Sequence, residues 1–234
     1  MATPATQQPQ PNAPRRPMRN NTMLLRNISR IIVGTLVVVV AAVFGVHALL
    51  DRGQPAAPKL QGTSLDGIAA PDFTLTDQNG ARVSLASLRG HPVVLTFFYT
   101  HCTDECPLTA SKFQKAQSEL GSQLQNVRWV AVSTDPVGDT PQTATEFAAQ
   151  HGLTGTLHYL LGTQSELSPV WSAYSVAVEN ASMTPTANDG GVSGVVQHTG
   201  GVWLIDAQGR EQVYLDAAFN PQALADDLKI MTTK

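Results

Sequence analysis

Residues 93–107 read VVLTFFYTHCTDECP and contain the clearest indication of the fold class. Its first seven residues form a continuous apolar run rich in β-formers, which is typical of a central strand buried on both faces. A helical pattern follows from Cys106 to Leu120, and a second buried run, VRWVAV, covers residues 127–132. A strand, a helix and a strand in this order predict a parallel pair joined by a right-handed crossover.

The sequence on either side extends this unit. On the N-terminal side, residues 73–85 (FTLTDQNGARVSL) show short alternating runs around an Asn-Gly pair, which predicts a β-hairpin. Further elements are predicted toward the C-terminus: a helix after Thr140-Pro141, a strand at 157–161, a helix at 165–174, a hairpin at 200–215 and a helix after Asn220-Pro221. This order predicts an α/β domain with a thioredoxin-like fold, in which helices flank a central mixed sheet.

A membrane anchor is predicted before this domain. Residues 31–50 (IIVGTLVVVVAAVFGVHALL) form a run of twenty residues without a formal charge. As a helix that rises about 1.5 Å per residue, the run would span roughly 30 Å, the hydrocarbon thickness of a bilayer. It exceeds the apolar part of a usual signal peptide, and no persuasive cleavage site follows it, so we expect one uncleaved transmembrane helix.

Charge and composition predict the location of the N-terminal tail and the extents of the linker and the folded domain. Five arginines and no acidic residue precede residue 31, which places residues 1–30 in the cytoplasm as a disordered tail and the C-terminal domain outside. Residues 51–70 contain several Pro and Gly residues and are predicted to be a linker, so the folded domain is expected at 71–234. The formal charge of −3 provides no broad basic surface, which argues against a nucleic-acid partner.

The two cysteines of the chain, Cys102 and Cys106, lie where the central strand gives way to a helix. Open α/β sheets place their sites at this position. On a helix, residues four apart have Cβ atoms about 5 to 6 Å apart, so the pair could ligate one metal or form a disulfide. The helix N-terminus favours thiolates, whereas Asp104 and Glu105 oppose this effect. A purely structural disulfide is disfavoured because its loop is so short.

Four motifs occur in order along the domain: PDFTLTDQNG at 71–80, FFYTHCTDECP at 97–107, VSTDPVGDTP at 132–141 and VVQHTGGVWLID at 195–206. Together they resemble the Sco (SenC-type) copper-assembly proteins of cytochrome c oxidase. The resemblance implies that Cys102, Cys106 and His198 bind one copper ion, as Cu(I) or Cu(II). It also implies delivery of that ion to the copper-accepting subunit of the oxidase. The sequence departs from the family at Thr103, where a proline is common.

Residue chemistry supports this ligand set but leaves other assignments open. Soft thiolates with an imidazole select Cu(I), although two Cys, one His and a water form a known zinc arrangement as well. Asp135 either supports the site or starts a turn after the second strand. His101 either tunes the adjacent Cys102 or is a solvated loop residue.

Three functions compete on this evidence. In the favoured one the chain is a membrane-anchored copper chaperone without turnover, which delivers copper to the binuclear site of the oxidase. In the alternative it is an extracytoplasmic thiol-disulfide reductase, with Cys102 and Cys106 as its redox pair, that reduces the cysteines of the oxidase copper site. A third possibility is a redox or copper sensor that acts only by binding. Loss of His198 should damage the first function and spare the second.

Overall fold

The computed structural model describes residues 22–51, 59–180, 196–198 and 200–233. The chain divides into two compact units, Met1–Ala57 and Pro58–Lys234. In the first unit, helix α1 covers Thr22–Asp51, and the large apolar side chains between residues 31 and 46 are exposed. Residues 22–30 are therefore helical where a disordered tail was predicted, and residues 1–21 of that predicted tail lie outside the described residues.

In the described part of the chain, no helix combines the length and the mean hydropathy that a bilayer span requires.

The second unit alternates strands and helices. Its strands are β1 (Thr63–Ala69), β2 (Thr74–Asp77), β3 (Arg82–Ser84), β4 (Val93–Phe98), β5 (Arg128–Ser133), β6 (Leu157–Leu161), β7 (Val178–Asn180), β8 (Val196–His198), β9 (Val202–Ile205) and β10 (Arg210–Leu215). Its α-helices are α2 (Glu105–Leu120), α3 (Pro141–Gln150), α4 (Gln164–Ala173) and α5 (Pro221–Thr232).

Eight of these strands form one mixed sheet in the order β1-β10-β9-β4-β5-β6-β2-β3. Strand β4 pairs in parallel with β5, with Val93 opposite Arg128 and Phe98 opposite Ser133, and β5 pairs in parallel with β6. The other pairs of this sheet are antiparallel, including the β2–β3 hairpin. The structure thus confirms the predicted mixed sheet, its parallel β4-α2-β5 unit and the N-terminal hairpin.

Strand β1 lies inside the stretch predicted as a linker. It pairs antiparallel with β10, from Thr63 opposite Tyr214 to Ala69 opposite Arg210. Asp66 and Gly67 adopt φ values of 56° and 67°, and the pairing shifts between Ser64 and Ile68. This irregularity interrupts the alternation by which a strand is recognised in sequence. The folded unit therefore begins before the predicted boundary at Pro71.

Helix α2 is held against the sheet by aromatic packing. Phe113, at the middle of the helix, is 0% exposed. The centroid of its ring lies 5.1 Å from that of Trp129, 6.1 Å from that of Phe98 and 6.2 Å from that of Phe219. These contacts join α2 to β4 and β5 and to the segment before α5, so they hold the helix in position on the sheet.

Candidate metal centre

The two cysteines lie on either side of the start of α2. Strand β4 ends at Phe98, and the loop up to Asp104 carries Cys102, which is half-buried. Cys106 lies in the first turn of α2 and is 1% exposed. The backbone N–H of Cys106 donates to Cys102 Sγ at 3.4 Å, so the cysteines are in direct contact, although Cys102 lies before the helix and not on it.

This contact lowers the pKa of Cys102 to about 5, chiefly because the Cys106 thiol donates a hydrogen bond to it. Backbone N–H groups of Asp104 and Cys106 and the hydroxyl of Tyr99 stabilise the thiolate further, while burial opposes them. The same hydrogen bond, together with burial, raises the pKa of Cys106. At neutral pH the pair therefore holds one negative charge on Cys102 and one proton on Cys106.

Alkylation of the metal-free, reduced protein should reveal this difference. The thiolate is the reactive form, so Cys102 should react with iodoacetamide at a nearly constant rate between about pH 6 and pH 8. An ordinary thiol with a pKa near 8.5 would slow by roughly tenfold per pH unit below that value. Peptide-resolved mass spectrometry distinguishes the two cysteines, and Cys106 should stay unmodified while Cys102 is labelled. A rate at Cys102 that falls like that of an ordinary thiol would contradict this charge distribution.

Tyr99 is a site residue that the sequence did not single out. It directly follows β4, and its hydroxyl hydrogen-bonds Cys102. Burial and that bond to the thiolate raise the pKa of Tyr99, so its hydroxyl stays protonated and remains a donor. Its position at the carboxyl end of the central strand was the signal available in the sequence.

Asp139 organises the loop that carries Cys102. Its carboxylate accepts hydrogen bonds from the N–H of Thr100 at 2.7 Å, the hydroxyl of Ser133 at 2.6 Å and the hydroxyl of Tyr159 at 2.9 Å. These donors come from the cysteine loop, from β5 and from β6. Burial raises the pKa of Asp139, and the hydrogen bonds oppose that shift. Sequence reasoning missed Asp139, although it lies in the VSTDPVGDTP motif.

Asp135 and His101 lie beside this carboxylate. Asp135 Oδ1 accepts the N–H of Val137 at 3.2 Å and of Gly138 at 2.9 Å, which is the turn role considered for it. His101 is exposed, and its Nδ1 lies 3.3 Å from Thr100 Oγ1. Potential ligand atoms of His101, Asp135 and Asp139 all lie within 4.8 Å of one another. Since three donors already occupy the Asp139 carboxylate, we interpret the group as support for the loop.

His198 is described through its backbone alone, because its side chain lies outside the described part of the structure. The backbone belongs to β8, where His198 pairs with Val178 of β7. Two residues later the chain reaches α2: a Cβ at Gly200 would stand 2.5 Å from Glu105 Oε2. The atom met is the end of a flexible side chain, so the contact shows that the segment after β8 lies near the start of α2. Next, the carbonyl of Gly201 accepts the hydroxyl of Thr96 in β4 at 2.9 Å.

Comparison with known proteins gives a family match. A model of the SCO1/SenC family matches residues 62–233. An SCO2-like protein of Rickettsia felis is 25% identical over 209 residues, which cover 86% of this chain and 96% of the relative. The SCO1 protein homolog of Bacillus subtilis is 34% identical over 97 residues, which cover 41% of this chain and 50% of the relative.

Solved structures agree with this match. Copper-bound ScoI of Bradyrhizobium japonicum superposes with a TM-score of 0.60 at 32% identity, over 70% of this chain and 99% of that chain. BsSco, a member of the Sco family of cytochrome c oxidase assembly proteins in which a disulfide switch was identified, superposes with a TM-score of 0.56 at 25% identity. That match covers 75% of this chain and 98% of that one.

Proposed function

Because this chain belongs to the SCO1/SenC family, we propose that it is a copper chaperone that binds one copper ion through Cys102, Cys106 and His198. The recipient in this proposal is the binuclear copper site of cytochrome c oxidase. The observation that carries it is the cysteine pair, in which one half-buried thiolate touches one buried thiol at the start of α2. Such a pair offers a charged donor to an arriving cation and a second donor behind it.

The donor chemistry fits copper. Thiolate sulfur is a soft ligand that selects Cu(I), and a neutral imidazole suits copper as well. A relative at 32% identity has been solved with copper bound. Zinc accepts the same donors, but as a tetrahedral ion it needs a fourth ligand, whereas Cu(I) is satisfied with fewer.

The backbone course around His198 supports its place in the ligand set. Consecutive Cα atoms are about 3.8 Å apart, so the Cα of residue 198 is within about 8 Å of that of Gly200. Gly200 in turn abuts Glu105, the residue before Cys106. The backbone that carries His198 therefore leads to the start of α2, which supports His198 as the third ligand.

Copper binding should be accompanied by a definite proton release. Ligating cysteines must be deprotonated. Since Cys102 is already a thiolate at neutral pH, only Cys106 has a proton to lose, and one proton per copper should enter the solvent. The ion would leave by ligand exchange, in which donors of the acceptor replace these sulfurs one at a time.

Residues 31–50 are proposed as the anchor that keeps this domain at the outer face of the cell membrane, with the N-terminus in the cytoplasm. The uncharged run and the five arginines before it support this topology. The apolar side chains between residues 31 and 46 of α1 are exposed, which supports contact of this segment with lipid.

The reductase remains the second candidate, because one related structure concerns a disulfide switch. In that reaction the Cys102 thiolate would attack a disulfide of the acceptor. Cys106 would then lose its proton, displace the reduced acceptor and leave a Cys102–Cys106 disulfide. This sequence of steps needs both cysteines and makes no use of His198.

Titration of the reduced, anaerobic protein with Cu(I) against a chelator tests the proposal. Wild type should bind one ion at least about a hundredfold more tightly than His198→Ala, because even indirect support of a ligand contributes 10- to 100-fold. His91→Ala is the matched control, since His91 precedes β4 at the end remote from the cysteines. Equal affinity of wild type and His198→Ala would contradict the chaperone, and dithiol reductase activity in both proteins would then favour the reductase.

A further inference from the structure

A cavity of about 370 Å³ lies on the face of the sheet that carries α4, whereas α2 and the cysteines pack on the opposite face. Its walls come from β1, β9, β10 and the end of α4. The side chains used below are Ile68, Tyr174, Trp203, Glu211 and Tyr214. None of them belongs to the proposed copper site.

A β-bulge turns Glu211 toward this cavity. Glu211 pairs with Ile205, but Val213 pairs with Leu204, so two residues of β10 oppose one of β9. Regular alternation would place Glu211 on the same face as Val213, which packs in the core beside α5. The extra residue reverses that orientation and places Glu211 on the face of Trp203 and Tyr214.

The carboxylate of Glu211 has no counter-charge within the described chain. Glu211 is only 6% exposed, and its side chain makes no hydrogen bond or ion pair with any described residue. The neighbouring cation, Arg210, is engaged with Asp206 at 2.9 Å. Burial raises the pKa of Glu211. An unpaired buried carboxylate is costly, so a ligand that brings a positive charge would be bound favourably.

Aromatic rings surround the carboxylate. Trp203 meets Tyr214 edge-to-face at a centroid distance of 5.0 Å and Tyr174 at 5.8 Å. The hydroxyls of these tyrosines donate to carbonyls outside the cavity, Tyr214 to Gly200 and Tyr174 to Pro71. These bonds fix the orientation of the rings. Ring faces attract cations, most strongly when water is excluded.

The end of α4 adds negative potential. Ala173, the last residue of this ten-residue helix, and the two residues after it line the cavity. The C-terminus of a helix carries a partial negative charge and favours cations. Ile68 of β1 contributes an apolar wall and is 57% exposed itself. The cavity therefore combines negative charge with apolar and aromatic surface.

We propose that this cavity binds a small organic cation of the alkylammonium class, with Glu211 as its counter-ion and Trp203, Tyr174 and Tyr214 as aromatic walls. One carboxylate without further oxygen donors is a poor site for Mg²⁺ or Ca²⁺, which take several oxygen ligands. The negative carboxylate and helix end exclude an anion. An alkylated ammonium ion matches both the charge and the apolar walls.

Titration of the full-length chain with choline chloride tests this assignment, with tryptophan fluorescence and calorimetry as readouts. Saturable binding is expected with a dissociation constant of about a millimolar or below. Sodium chloride at equal ionic strength controls for the salt effect, and its cation should bind at least about tenfold more weakly than choline. The same weakening is expected for 3,3-dimethylbutan-1-ol, the neutral analogue of choline. A parallel titration with n-butylammonium distinguishes a lysine-like primary ammonium from a quaternary one, and saturable binding of either cation supports the class.

Glu211→Gln keeps the side chain's size but removes its charge, and it should weaken binding of the preferred cation by about tenfold or more. Glu119→Gln is the matched control, because Glu119 is exposed on α2 and does not line the cavity. Circular dichroism checks that both variants fold. If Glu211→Gln does not fold, the proposal is tested by the affinities of the wild type for choline and for its neutral analogue. Absence of saturable binding, equal affinity for the neutral analogue, or unchanged affinity in folded Glu211→Gln would overturn the proposal.

Discussion

Cys102→Ser should lower the affinity for Cu(I) by roughly a thousandfold, because one ligand of three contributes about 4 kcal/mol if the free energy of binding is about 12 kcal/mol. The physical reason is that a serine hydroxyl is a hard donor that stays protonated at neutral pH. In the wild type Cys102 is already anionic, with a pKa of about 5, so the site loses its only negative sulfur. Competition with a Cu(I) chelator under anaerobic conditions measures the change.

The loop itself should tolerate this substitution. Cys102 is half-buried and serine is slightly smaller, so unfolding should change little. Thr103→Ser serves as the control, since it alters the exposed neighbour in the same loop without touching a proposed ligand. An affinity of Cys102→Ser within about threefold of the control would remove Cys102 from the ligand set.

Phe113→Ala should lower the free energy of unfolding by about 3 to 5 kcal/mol, the range for truncating a buried phenylalanine. Phe113 is 0% exposed and its ring centroid lies within 6.2 Å of those of Phe98, Trp129 and Phe219. Removal of the ring leaves a cavity between α2 and the sheet, directly behind the helix that carries Cys106. Urea unfolding followed by tryptophan fluorescence measures the loss.

Leu108→Ala gives the comparison on the same helix. Leu108 is 59% exposed, so its truncation should change the free energy of unfolding by no more than about 0.5 kcal/mol. Equal losses in the two variants would show that the buried aromatic packing of Phe113 is not the source of the effect, because alanine is the better helix former at both positions.

The fold was predictable where the signal is local. The apolar run of β4, the helical pattern after Cys106 and the second run at β5 each carry their own periodicity, and the structure pairs β4 with β5 as expected. Strand β1 was missed because Asp66 and Gly67 break its alternation, and its pairing with β10 joins residues far apart in the chain. The hydrophobic pattern of a few residues in β1 carries no information about its pairing with β10.

The site was predictable to the same extent. The spacing of four suggested that Cys102 and Cys106 could meet on a helix; they do meet, but Cys102 lies in the loop before α2 and accepts the N–H of Cys106 from there. The role of Asp139 required knowledge that β5 and β6 end beside the loop, which only the assembled sheet provides. Likewise, simple alternation along β10 would have turned Glu211 into the core, and only the register with β9 reveals the bulge.

The unequal burial of the two sulfurs gives the proposed handover a direction. Cys106 Sγ belongs to a side chain that is 1% exposed, whereas Cys102 is open to solvent on one side. In the proposed handover, an incoming thiol would displace Cys102 while Cys106 still binds the ion, so the metal would not be released into solution. Ligand exchange would then follow a fixed order, in which Cys102 dissociates from the ion first and Cys106 last.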